Sequence, residues 1–217
     1  MDKRMFITPG DSALGAALAD AAIAGGWRVA STVNGDVDEG YEDENRLVIS
    51  CNNRSLLSAR RAFLDCLNAF QGLDAAIVIH EVRQDERPVH ELAPIAIEEY
   101  FDIGMKERFF VLREILSLFV RQRSGTLAMV NYASEDSTLL PLCAAASGAF
   151  RAATDSLATL YQNENIIING FDCTSESPER YSRFILEQLS GKAAELSGKW
   201  YHCGGAPRLS RSRKSRK

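Results

Sequence analysis

No apolar run in this sequence approaches the roughly 18–20 residues that a membrane-spanning helix needs, and no basic segment followed by an apolar stretch of the signal-peptide kind is present. These absences lead to the expectation of a soluble, cytoplasmic protein. Cysteine is sparse and badly placed for metal: Cys51, Cys66, Cys143, Cys173 and Cys203 are scattered, odd in number and free of any CxxC pair. That pattern argues against a disulfide framework and against structural zinc. Histidine is limited to His80, His90 and His202. His90 and His202 lack ligand-like companions, so no metal site is expected. Pro/Gly/Ser-rich linkers and repeats at a fixed period are also missing, which leaves a single domain over residues 1–205.

Basic charge is absent from most of the chain in any concentrated form, and the exception is the end. "RLSRSRKSRK" holds Arg208, Arg211, Arg213, Lys214, Arg216 and Lys217 without an acid, so the formal charge of −4 divides into +6 for this segment and −10 for the rest. Residues 206–217 therefore read as a basic, disordered tail. Nothing else points to nucleic acid. The stretch "DVDEGYEDEN", Asp36 to Asn45, reads as an exposed acidic loop.

What is present is an alternation. Apolar segments suited to buried parallel strands recur as "RMFITP", "RVASTV", "RLVISC", "LDAAIVIH", "GTLAMVNY", "NIIINGFD" and "GKWYHCGG". Between them, helical periodicity runs over Ser12–Ala24, Ser55–Ala69, Glu98–Phe119, Pro141–Tyr161 and Tyr181–Leu189. Strands alternating with helices predict an α/β fold: a Rossmann-like, doubly wound parallel sheet with helices on both faces, in three αβα layers.

The succession of segments resembles the short-chain dehydrogenase/reductase family from Met5 to about Gly205. "TPGDSALG" sits where that family has Thr-Gly-x-x-x-Gly-x-Gly, and "LDAAIVIHE" where it has Asp-x-Leu-Val-Asn-Asn-Ala-Gly. "EEYFDIGMKERFFVLREILSLF" is similar to its long helix containing Asn-Leu-x-Gly, and "SGTLAMVNYAS" to the strand ending in the catalytic serine. "CAAASGAFRAATDSLATLYQNENIIINGFDCT" is similar to its Tyr-x-x-x-Lys helix and following strand, and "LSGKWYHCGG" to its last strand.

The resemblance implies where a dinucleotide would sit, on Thr8, Gly10, Ser12 and Gly15, as a weak and vestigial cofactor site. Pro9 supplies no N–H there and Ala13 replaces a motif glycine, while Asp11 and Ser12 make a good helix N-cap. After the second strand, Val33 and Asn34 stand near the point where an NAD-preferring member offers an acid, and Asp36 and Asp38 come late. Cys51 takes the place of an adenine-binding Asp, and Val78, Ile79, His80 and Glu81 that of Asn-Asn-Ala-Gly.

The family's reaction depends on a Tyr whose pKa is lowered by a Lys four residues later. Those positions fall on Cys143 and Ser147; the Ser position falls on Val130, with Asn131 and Tyr132 adjoining, and the Asn position on Gly104. Two substitutes are conceivable, a Cys143 nucleophile activated by His80 and a Tyr132 phenol, though a buried apolar cysteine and a strand-end aromatic are the commoner roles. "SESPER" also leaves almost no substrate-covering loop.

No catalytic residue and no cofactor are therefore expected. The sequence reads as a catalytically degenerate short-chain dehydrogenase/reductase-like protein, a non-catalytic structural or regulatory subunit. Its expected contacts are the helices containing Phe109–Phe119 and Cys143–Tyr161, which in the resembling family pair between subunits; the partner is a second copy or a related, active dehydrogenase. Two alternatives stand beside this: an NAD(P)-dependent oxidoreductase with atypical active-site residues, and a scaffold that binds an acidic partner through its basic tail.

Overall fold

The computed structural model describes residues 3–35, 40–52, 54–81, 87–133, 140–174, 177–191 and 196–203; the basic segment 206–217 lies outside them. Eight strands form one sheet: β1 (Lys3–Thr8), β2 (Trp27–Val33), β3 (Gly40–Asp43), β4 (Arg46–Ser50), β5 (Ala75–Glu81), β6 (Gly125–Ala133), β7 (Ile166–Thr174) and β8 (Trp200–His202). Their order is β3-β4-β2-β1-β5-β6-β7-β8, parallel except for the antiparallel edge strand β3. The helices are α1 (Ala13–Ala24), α2 (Leu56–Phe70), α3 (Pro94–Phe101), α4 (Glu107–Gln122), α5 (Pro141–Leu160) and α6 (Pro178–Ser190).

A sheet buried on both faces needs strands that are apolar throughout. β5 meets that demand, with every residue from Ala75 to His80 buried. On one face α2, α4 and α5 close a core around Phe6, Phe63, Phe119 and Phe150. On the other, α1 and α6 cover Met5, Ile7, Ile77 and Phe171. These are the three layers predicted from the alternation. The direction of winding reverses between β1 and β5, since the chain moves outward through β2 and β4 and returns through α2 to the other side of β1. In open α/β sheets, ligands bind beyond the carboxyl ends of strands at such a point.

Serines start three helices, their hydroxyls accepting backbone N–H groups: Ser12 from Gly15, Ser55 from Ser58 and Ser177 from Arg180. Two expectations need correction. The helix predicted over Glu98–Phe119 is α3 and α4, joined by a π-turn at Asp102–Lys106. A single π-turn sits within otherwise helical backbone, so the apolar residues on either side read as one run. The acidic stretch Asp36–Asn45 is not all loop either, because Gly40–Asp43 pairs with β4 through a tight turn in which Asn45 N–H bonds Asp43 Oδ1 at 2.7 Å.

At the amino edge of the sheet, Arg4 clasps Asp74, the residue before β5. Its Nε and Nη2 donate to the two carboxylate oxygens at 3.0 Å each, its backbone N–H donates at 2.8 Å, and Nη1 donates to the Gln71 carbonyl. Partial burial works to raise the Asp74 carboxyl, and the Arg4 bonds outweigh it, holding the group below its usual range. The stabilisation is therefore complete above the unfolded-state value near 4 and is lost as pH falls through the lower folded value. Asp74→Asn should cost about 1 kcal/mol at pH 7, a figure reduced by partial solvent exposure. The difference from wild type should vanish in chemical denaturation at the acid end of that range.

Candidate functional site at the carboxyl edge

The turn between β1 and α1 is held to β2 by its own polar groups. Gly10 N–H donates to the Thr32 carbonyl at 2.6 Å, and Thr32 Oγ1 donates to Thr8 Oγ1 at 2.8 Å in a buried contact. Asp11 reaches the following loop, its carboxylate accepting the Asn34 N–H at 2.9 Å. Ser12 Oγ takes the Gly15 N–H at 3.0 Å. The glycines answer to close packing within the chain. A Cβ on Gly10 would stand 2.6 Å from Ser31 Cβ, and one on Gly15 would stand 2.3 Å from the Pro9 carbonyl oxygen. Thr8, Gly10, Ser12 and Gly15 are thus brought together as one turn, each engaged with its neighbours.

Past β4, Cys51 donates its N–H to the Val33 carbonyl at 2.9 Å and is fully buried, with burial pushing its thiol up. Asp36 and Asp38 lie outside the described residues.

Four polar residues line up across neighbouring strands on the α5 side: His80 of β5, Asn131 of β6, Asp172 of β7 and His202 of β8, in consecutive register. His80 is buried and stacked on Phe150, with centroids 5.0 Å apart and planes 22° apart. Among the described residues neither ring nitrogen has a hydrogen-bond partner of good geometry. Burial first, and the nearby Arg108 charge second, push its pKa down to about 4; the Gly104 backbone pulls weakly the other way. Asn131 Nδ2 donates to Asp172 Oδ1 at 3.2 Å, Arg151 reaches the same oxygen at 2.8 Å, and His202 Nδ1 stands 3.4 Å from Oδ2. Burial pushes the Asp172 carboxyl up, with Arg151, Asn131 and His202 opposing. Arg151 also lies over the Trp200 ring, whose N–H donates to Asp155 at 2.6 Å. Among the described residues, nothing donates a hydrogen bond to Asn131 Oδ1 or Asp172 Oδ2.

No protein-family model and no curated protein matches the sequence. Solved structures do. The chain is similar to a 3-ketoacyl-(acyl-carrier-protein) reductase from Brucella melitensis complexed with NADH, at 15% identity and a TM-score of 0.80 over 93% of this chain and 96% of that one. It is similar to levodione reductase, at 17% identity and a TM-score of 0.79 over 94% and 96%. A short-chain dehydrogenase/reductase variant from Serratia marcescens aligns at 17% identity and a TM-score of 0.77 over 92% and 95%. The chain has the short-chain dehydrogenase/reductase fold.

On that frame the sequence-predicted positions part company. Cys143 is on α5 and buried against Tyr100 and Leu140. Among the described residues the His80 nitrogens have no hydrogen-bond partner, so no such bond couples this thiol to that base. Ser147 follows one turn later and is half-buried. Val130 packs in the core beneath α1 and α6, and Tyr132 turns the same way, edge-on to Tyr181 with centroids 6.1 Å apart. Of the three residues considered for the serine position, Asn131 alone occupies the polar row on the α5 side. Gly104 lies in the π-turn, where an added Cβ would be 3.4 Å from His80 Cε1. Gly104 thus lies alongside the His80 ring, at a distance where a Cβ would make an ordinary van der Waals contact. Sequence reasoning missed Asp172 and Arg151, although an aspartate closing the apolar run "IIINGFD" was a usable signal. Among the described residues, no three His, Cys, Asp or Glu side chains form a metal-sized group.

Two measurements probe this geometry. Gly15→Ala should destabilise by about 2 kcal/mol through overpacking, although alanine is the better helix former by about 1 kcal/mol. Gly148→Ala on α5, where a Cβ meets nothing within 4 Å, should stabilise; equal effects of the two in thermal unfolding would refute the packing account. The second is a pH profile. His80 stays neutral in the folded protein while an unfolded histidine takes up a proton near pH 6.5, so stability falls from that pH down to about 4. His80→Phe should flatten that acid limb, by on the order of 3 kcal/mol across the window.

Proposed function

We propose that this chain is a non-catalytic relative in fold of the short-chain dehydrogenases/reductases that acts as a structural or regulatory subunit. The observation that carries the reading is the turn after β1. Pro9 has no N–H, the Gly10 N–H is committed to Thr32, and the Asp11 carboxylate stands at the turn. These groups do not fit a dinucleotide pyrophosphate, whose binding needs free N–H donors and no adjacent negative charge. Cys143 and Ser147 at the Tyr and Lys positions point the same way, since neither supplies the phenol and ammonium on which that proton transfer depends.

The surface for assembly is the outer side of α4 and α5. A groove of about 460 Å³ runs between them, with Phe109, Leu116, Leu157 and Tyr161 in its lining together with Arg113 and Arg121. Beside it α5 exposes small residues, Ala144, Ala145, Gly148, Ala149 and Ala152, which permit close helix approach. A second copy, or a related dehydrogenase subunit with similar helices, fits such a face across a two-fold axis.

A second reading is an NAD(P)-dependent oxidoreductase with atypical residues. In its favour are the NADH bound to one protein of the same fold and the polar row near the carboxyl ends of four strands, buried at His80, Asn131 and Asp172. Calorimetric titration with NAD⁺, NADH, NADP⁺ and NADPH separates the two. The subunit reading predicts no saturable heat and a dimer or larger mass by light scattering, reduced to monomer by Ala149→Arg. Binding at micromolar strength would establish the oxidoreductase reading instead, and a wild-type monomer would remove the self-association surface.

A further inference from the structure

Two asparagines in this chain are followed by glycine, at Asn34–Gly35 and Asn169–Gly170, and the fold treats the two pairs in opposite ways. The backbone nitrogen after an asparagine lies within reach of the side-chain amide carbon, and on a glycine no Cβ obstructs the approach. Ring closure between them requires that nitrogen and that amide to be unengaged. At Asn169 both are held. This residue is buried in β7, its Oδ1 accepts the Lys199 N–H at 2.8 Å and its Nδ2 donates to the Leu196 carbonyl at 2.7 Å. The Gly170 N–H donates to the Lys199 carbonyl at 2.8 Å, and the Trp200 ring lies against the glycine, where a Cβ would be 2.4 Å away. Asn34 and Gly35, by contrast, follow the last residue of β2 and are exposed. Their backbone is anchored on either side: the Asn34 N–H donates to Asp11 Oδ2 at 2.9 Å, and the Gly35 carbonyl accepts the Ser50 hydroxyl at 2.6 Å. Among the described residues, no hydrogen bond engages the Asn34 side-chain amide or the Gly35 N–H. Gly35 has φ 122°, and a Cβ there would meet nothing within 4 Å, so the ring closes into open space.

We propose that Asn34 is a site of spontaneous deamidation, a covalent modification that places a new carboxylate beside Asp11 at the carboxyl edge of the sheet. The Gly35 nitrogen, its proton taken by hydroxide, attacks Asn34 Cγ. The Cγ–Nδ2 bond then breaks, ammonia leaves, and a succinimide ring remains. Water opens the ring at one of two bonds. Cleavage between the Gly35 nitrogen and Cγ gives an aspartate at position 34, and cleavage between that nitrogen and the Asn34 main-chain carbonyl carbon gives an isoaspartate. One water is consumed, one ammonia is released, nothing is oxidised or reduced, and the chain gains one negative charge. That charge arises where the Asp11 carboxylate already holds the Asn34 N–H, and two like charges oppose each other there. In the isoaspartyl product the backbone is also one carbon longer on leaving β2. The inference is independent of cofactor binding and of the subunit reading, since the chemistry needs only the chain and water.

The test is timed incubation of the full-length protein in mildly alkaline buffer at physiological temperature, followed by peptide mapping with mass spectrometry and isoaspartate labelling by an isoaspartyl methyltransferase. The folded protein should convert amide to acid at Asn34 at least about tenfold faster than at Asn169, because a site locked in a strand reacts only through opening of that strand. In concentrated urea the two pairs should react at similar rates. Asn34→Gln should remove both the acidic form on anion exchange and the isoaspartate label. Retention of the Asn34 amide while another asparagine converts, equal rates at Asn34 and Asn169 in the folded protein, or an undiminished label in Asn34→Gln would each overturn the proposal. Should that variant fail to fold, the two wild-type rates, folded and in urea, still decide it.

Discussion

The hydrogen bond from Gly10 N–H to the Thr32 carbonyl fixes how the first helix leaves the sheet. Every backbone N–H that is removed from water must find an acceptor, and here a turn that could have offered donors to a ligand is folded down onto β2. The buried Thr8–Thr32 hydroxyl contact sits beneath it, and Asp11 extends the attachment to Asn34. Once the turn lies there, Gly10 and Gly15 can have no Cβ, because Ser31 and the Pro9 carbonyl occupy the space. The glycines at two motif positions are accounted for by the chain's own contacts. A glycine-rich pattern read in sequence does not distinguish room made for a phosphate from room made for a neighbouring strand.

A similar exchange operates deeper in the carboxyl edge. His80 fills the space next to Gly104 and Phe150 as a neutral ring. Next to it, Asp172 is kept inside the protein by Arg151 and Asn131, a buried carboxylate whose desolvation cost is partly offset by charge-assisted bonds. Such a cluster is expensive to leave half-satisfied. It lies across four consecutive strands at the end of the sheet where ligands meet folds of this class, in residue types unlike the tyrosine and lysine that the resemblance implies.

The layer order, the strands and the caps were legible because they are local: Ser12, Ser55 and Ser177 each precede an apolar period, and β5 is an unbroken apolar run. The π-turn escaped because it is a single wide turn within otherwise continuous helical backbone, and composition does not mark it. β3 escaped because charge disguised an edge strand. The facing of Val130, Asn131 and Tyr132 depends on pleat and register, which sequence alone does not carry, so Val130, the residue at the expected serine position, points into the opposite core. Asp172 and Arg151 meet only through β7 and α5 packing, a contact between distant parts of the chain.

The two margins of the sheet are both short. β3 has four residues, with Glu42 and Asp43 in its sequence, and β8 has three. Unpaired strand edges are templates on which other chains add strands, and brevity and charge are common defences against it. A sheet closed off in this way does not grow by accepting a neighbour's backbone. Recognition is then left to side chains on helices and loops.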